Sequence, residues 1–202
     1  MNIDWRDYQV YVSNLSSNYG VYMTPRELPT LTNGIVEELT EVREAIYCAE
    51  NFCSMDIEKE KMMISTEIGD CLAYVMILAS RFAISADDIV KASLLNNESR
   101  EKAFITALKV SGLFKRVFRG DYLPQLKDDF SMSALNTLYT KDTFLHTLTQ
   151  GLGWVFYYLQ KVAYEFKLDM DTIKRANMAK GAYLAEKTAG KSHFSGNIDE
   201  QV

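Results

Sequence analysis

EIGDCLAYVMILASRFAISADDIVKAS (67–93) and GLGWVFYYLQKVAYEFKLDMDTIKRAN (151–177) align without gaps at a shift of 84 residues. Gly69 meets Gly153, Tyr74 meets Tyr158, Ala79 meets Ala163 and Phe82 meets Phe166; Asp87, Ile89 and Ala92 meet Asp171, Ile173 and Ala176. A shared helical period alone would align apolar positions, but not the glycine, the tyrosine and the Asp-x-Ile. Both segments therefore read as copies of one helix-turn-helix unit. Leu72, Val75, Met76 and Ala79 recur at helical spacing, and Ser85 stands where it can cap a helix opening at Ala86, with Asp87 and Asp88 in its first turn. The fold expected is all-α: a helical bundle with an internal pseudo-two-fold repeat.

The same periodicity extends over the rest of the chain. A first helix is expected from about Ile3 to Asn18, then a loop over 20–29 marked by Gly20, Pro25 and Pro29. The next helix runs from Thr30 to Asn51 on a stripe of Ile35, Leu39, Val42 and Ile46, and another covers 56–82. Two more are expected over Asp142–Phe166 and Asp171–Lys187. One domain, 1–202, would hold a first half of about 1–96, a connector of about 97–141, a second half of about 142–189 and a tail from Gly190. Within that connector, 97–119 looks helical and turns basic at Lys115, Arg116 and Arg119, which read as a solvated face.

The copies differ where chemistry is concerned. Glu67 and Asp70 become Gly151 and Trp154, whereas Asn177 and Lys180 align with Ser93 and Asn96. One copy keeps acids, the other an amide and an amine, so a single composite site per chain is expected. The acids have company in Glu37, Glu38 and Glu41, an EExxE on the preceding helix. Alone, that string is an ordinary solvated helix face. Packed antiparallel against Glu67 and Asp70, it crowds four or five carboxylates together, which repel unless a hard divalent cation neutralises them. Mg²⁺ is the expected ion, and Mg²⁺ held by carboxylates usually also holds phosphate. His146 and His193 form no Glu-x-x-His pair, which argues against a ferritin-like di-iron bundle.

Composition narrows the partners. A chain of 202 residues with 48% hydrophobic and 24% charged residues can bury a globular core, and a net charge of −5 argues against a broad nucleic-acid surface. The longest apolar run, Cys71–Ala79, is short for a bilayer span, so no membrane partner is expected. Cys48, Cys53 and Cys71 read as buried, reduced thiols of a cytoplasmic protein rather than a disulfide framework. Trp5, Tyr8, Trp154, Tyr157 and Tyr158 read as core aromatics; any that remain exposed leave a homodimer open.

GIVEELTEVREAI (34–46), EIGDCLAYVMILA (67–79) and LDMDTIKRANMAK (168–180), with DYQVYV (7–12) in support, resemble the MazG-type all-α nucleoside triphosphate pyrophosphohydrolases. The tandem halves also look like the related dimeric dUTPases and dCTPases. The resemblance implies Mg²⁺-dependent hydrolysis, with Mn²⁺ as a substitute, of an NTP or dNTP to the monophosphate and pyrophosphate. It implies that Glu38, Glu41, Glu67 and Asp70 are metal ligands, and that Glu37 is a further ligand or positions the attacking water. Asn177 and Lys180 match an Asn-x-x-Lys associated with phosphate binding; Gly181 stands where a Leu usually follows, and SHFSGNID (192–199) is distantly similar to a glycine-rich tail of some members. The alternative is a helical nucleotide-binding or protein-interaction module without turnover.

Overall fold

The most apolar long helix, Ile57–Arg81, lies at the centre of the protein, with Ile64, Ile68, Cys71, Leu72, Val75, Met76, Leu78 and Ala79 all excluded from solvent. In the computed structural model, which describes residues 3–16, 27–51, 56–119 and 141–189, it is the third of seven helices among the described residues. These are α1 (Trp5–Ser16), α2 (Glu27–Asn51), α3 (Ile57–Arg81), α4 (Ala86–Ser93), α5 (Arg100–Arg119), α6 (Lys141–Glu165) and α7 (Met170–Ala189). No described residue lies in a strand. Helices α2, α3, α6 and α5 form a closed ring of neighbours, α2 on α3, α3 on α6, α6 on α5 and α5 on α2. That is a four-helix bundle. By length and composition α3 could cross a membrane, but here its apolar face is the bundle core, as the buried helix of a soluble fold would be.

The repeat reappears in the hydrogen bonds that end its long helices. Ile84 N–H donates to the Ala79 carbonyl at 3.0 Å and Ala83 N–H to Ser80 at 3.2 Å; Leu168 donates to Ala163 at 2.8 Å and Lys167 to Tyr164 at 3.1 Å. These are the same two bonds, 84 residues apart, and they make a Schellman cap. Each cap needs one left-handed residue, and Ala83 (φ 55°) and Lys167 (φ 56°) supply it without being glycine. The following caps also correspond: Ser85 Oγ accepts from Asp88 N–H at 3.2 Å, and Asp169 Oδ2 from Thr172 N–H at 2.9 Å. A side chain in left-handed backbone costs about 1 kcal/mol. Ala83→Gly and Lys167→Gly are therefore expected to raise stability by up to about 1 kcal/mol each, less the glycine's extra unfolded-state entropy. Thermal denaturation of the two variants checks it, and a fall in Tm for both would count against the strain.

The two copies do not close on themselves. α4 packs on α6, and α7 packs on α3. Glycines make both crossings close: a Cβ at Gly69 would lie 3.1 Å from that of Asn177, and one at Gly153 would lie 2.7 Å from Ala92 Cβ and 3.1 Å from the Ser93 nitrogen. α1 lies across the result, touching α3, α4 and α7. Its buried Gln9 donates to the Ile84 carbonyl and accepts from Ala86 N–H, both at 2.8 Å, pinning the turn between α3 and α4. Arg81 joins α3 to Glu27 of α2 and, at 3.3 Å, to Ser16 of α1. At the other end Arg100 pairs with Glu50 at 2.6 Å and Glu165 at 3.0 Å, tying α5 to α2 and α6.

Three expectations need correcting. α2 begins at Glu27, inside the loop expected over 20–29, because Pro29 falls in a first helical turn where a missing N–H is tolerated. The helical part of the expected connector is α5, a full member of the bundle rather than a spacer; residues 120–140 lie outside the described residues. Cys71 is buried as expected, but Cys48 is exposed, since it lies off the Ile35–Ile46 stripe; Cys53 is outside the described residues, as are His193 and the tail.

Candidate metal centre

Two helices joined by residues 52–56 and packed side by side must run antiparallel, and their buried stripes then decide where the acids go. On α2, Leu39 and Val42 are fully buried, which leaves Glu38 at the rim of the stripe and Glu37 and Glu41 on the exposed side. On α3, Ile68, Gly69 and Cys71 are buried, and Glu67 and Asp70 flank them half-buried. One carboxylate oxygen from each of Glu38, Glu67 and Asp70 lies within 4.8 Å of the others. Glu41 shares a hydrogen bond with Glu67. Glu37 is exposed and stands outside this trio.

The electrostatics are those of a site short of positive charge. Burial, then the charges of Asp70, Glu41 and Glu67, push Glu38 up to about 8; Lys180 works against them. Burial and the charges of Glu41 and Asp70, with the hydrogen bond from Glu41, also raise Glu67. Glu38 Oε2 is buried with no hydrogen-bond partner. An orphaned carboxylate oxygen facing other carboxylates is costly in a folded chain and calls for a missing partner.

The second copy delivers its two residues to the same place. Ile173 buries α7 against the core, Gly69 lets it approach, and Asn177 lands on Asp70, its Nδ2 donating to Oδ1 at 2.9 Å. One turn on, Lys180 Nζ donates to Asp70 Oδ2. Burial opposes the charge on Lys180, yet the hydrogen bond and charge of Asp70, with Glu38 and Glu67, raise it above the ordinary lysine range. So Asn177 and Lys180 do meet the acids, though in this state they hold an acid rather than standing apart as a phosphate cradle. Asp70 also gathers a residue that the sequence reading had left in the core: Tyr8 of α1, fully buried, donates to Asn177 Oδ1 at 2.8 Å. Burial, then Asp70 and Cys71, raise the Tyr8 phenol, so it stays a donor. No spacing rule announces a contact between residues 8 and 177. The only hint was DYQVYV among the family-like segments.

Among the described residues, the other end of the pseudo-two-fold has no such cluster. Gly151 replaces Glu67, and a Cβ there would meet Val110 Cγ1 at 2.3 Å and Phe114 at 2.6 Å. Apolar side chains of α5 fill that place. Among the described residues the acids gather at one end, and residues 26–104, which include them, match the family model described as the MazG nucleotide pyrophosphohydrolase domain. This segment is similar to a MazG-type domain. The match runs from the start of α2 into α5 and takes in Glu37, Glu38, Glu41, Glu67 and Asp70. Tyr8, Asn177 and Lys180 fall outside it, so the MazG-type segment is under half of the chain and its acids are served by helices beyond its limits. No curated protein and no solved structure matches the chain.

Proposed function

We propose that the protein is a Mg²⁺-dependent nucleoside triphosphate pyrophosphohydrolase that cleaves between the α- and β-phosphates of an NTP or dNTP. The observation that carries this reading is the convergence of Glu38, Glu67 and Asp70 with Glu38 Oε2 left unpartnered. A set made only of carboxylate oxygens fits a hard divalent ion, Mg²⁺ or Mn²⁺, and not a soft one. Glu38, Glu67 and Asp70 would hold it, with Glu41 completing the set through its contact with Glu67. When bound, the ion supplies Lewis-acid neutralisation of charge on the phosphoryl oxygens.

The remaining steps belong to the chain's own groups. Glu37, exposed beside Glu38, positions the attacking water and takes its proton. Lys180, half exposed, turns from Asp70 to the triphosphate and offsets charge on the departing pyrophosphate as a point-charge donor. Asn177 offers an amide hydrogen bond to the same group. Attack of water at the α-phosphorus breaks the bond to the bridging oxygen, and the pyrophosphate leaves with that oxygen.

The test is pyrophosphate release from a panel of NTPs and dNTPs with Mg²⁺, for the wild type and a Glu38→Gln, Asp70→Asn double variant. Release with at least one nucleotide, lost in the double variant, is expected. Folded wild type that binds a nucleotide but releases nothing would make the protein a binding module instead.

A further inference from the structure

We propose that Tyr8 is a positioning residue for the metal centre, acting through Asn177 on Asp70. The inference rests on the reading of Asp70 as a metal ligand and goes beyond it, because Tyr8 lies on α1, outside the MazG-type segment. An asparagine amide can present either end to a neighbour. With Nδ2 towards Asp70 it donates to the carboxylate; turned over, Oδ1 would face a carboxylate oxygen and repel it. Something must hold the first orientation. The Tyr8 hydroxyl does so by donating to Oδ1 at 2.8 Å, while the next acceptor within its reach, the Gly69 carbonyl, is longer at 3.3 Å.

The tyrosine is itself immobilised. Its side chain is fully buried, and its ring stands edge-on to Trp5 with centroids 6.1 Å apart. Trp5 in turn carries the buried Lys174 ammonium of α7 4.2 Å above its ring, and that ammonium pairs with Asp171 at 2.7 Å. With the Tyr11 hydroxyl donating to the Met178 carbonyl at 2.9 Å, α1 is fastened to α7 at three places, and the one at Tyr8 bears on a metal ligand. Hydrogen-bonded partners of ligating carboxylates typically carry about a tenfold or greater share of metal affinity. Fixing Asp70 Oδ1 from one side leaves the carboxylate a single aim towards Glu38 and Glu67.

Mn²⁺ binding to the nucleotide-free, full-length chain, read as free Mn²⁺ by electron paramagnetic resonance, tests this with Tyr8→Phe, Asn177→Ala and the double variant. Tyr8→Phe keeps the ring and removes the donor. The Mn²⁺ Kd is expected to rise about tenfold for Tyr8→Phe and at least as much for Asn177→Ala, with no further rise in the double variant. A Tyr8→Phe Kd within twofold of wild type overturns the proposal. So does a double variant whose losses multiply, since Tyr8 would then act by another route. Melting in EDTA shows whether Tyr8→Phe has lost its fold; if it has, Asn177→Ala carries the test, and wild-type affinity there overturns the link. Wild type that takes up no Mn²⁺ would instead remove the metal reading itself.

Discussion

Glu38→Gln is expected to abolish turnover and to make the metal-free protein more stable than the wild type. Loss of a central ligand should lower kcat/KM by about a thousandfold or more, the scale on which phosphoryl-transfer machinery depends on its charged parts. The stability gain has a separate cause. Glu38 is pushed up to about 8 by burial and by its acidic neighbours, and its Oε2 has no partner. Glutamine keeps the shape, removes the charge and offers an N–H to the carboxylates around it. Relief of one such group is worth about 1–2 kcal/mol, seen as a higher Tm in EDTA at pH 8. An inactive but unchanged or less stable variant would mean that the cluster is not strained. An active one would remove Glu38 from the site.

In EDTA, stability is expected to fall as the pH rises from about 5 to about 8.5, and a divalent cation should reverse the fall. Glu38 titrates near 8 in the folded protein and near 4.5 when unfolded. Between those values the folded state holds the extra proton, so the contribution is fully present below 4.5 and is lost as the pH passes through 8. Glu67, raised by the same burial and neighbours, acts in the same direction. The shift of Glu38 would be worth about 5 kcal/mol in a dry site; solvent at the half-open cluster cuts this to roughly 2. Asp169, held low by its hydrogen bonds to Thr172, acts only in stronger acid and does not enter this window. Mg²⁺ at a hundred times its Kd should restore about 2.7 kcal/mol at pH 8, with protons released as it binds. Melting curves with and without Mg²⁺ at half-unit intervals of pH settle it. A Tm in EDTA that is flat or rising over that range would show that the acids are not crowded in solution.

The acids of this site were legible because each lies within one turn of another on the same helix. Glu38 and Glu41 flank a stripe of Ile35, Leu39 and Val42, and Glu67 and Asp70 flank Ile68 and Cys71, so periodicity alone puts them at the edge of one core. The repeat was legible from residue identities, but the matching left-handed turns at Ala83 and Lys167 were not, since neither residue announces them by type. What escaped were contacts between residues far apart in sequence. That Lys180 would sit on Asp70, or Tyr8 on Asn177, depends on how α7 and α1 cross α3, and helical spacing carries no information about crossing. The start of α2 was missed because Pro29 reads as a breaker but is harmless in a first turn. Cys48 was misplaced because an apolar neighbourhood in sequence is not an apolar face.

The crossing of α4 onto α6 and of α7 onto α3 means that the unit of repetition and the unit that forms a site are different in this chain. The repeated unit is a hairpin, yet the acid-bearing site draws α3 from one copy and α7 from the other. Glu67, Asp70, Asn177 and Lys180 stand together at one end; Gly151, Trp154, Ser93 and Asn96 occupy the corresponding places at the other. The site is therefore shared between the copies, and neither hairpin carries it alone. A second such site would require coordinated changes in both hairpins and in α5, where Val110 and Phe114 stand against the backbone of Gly151.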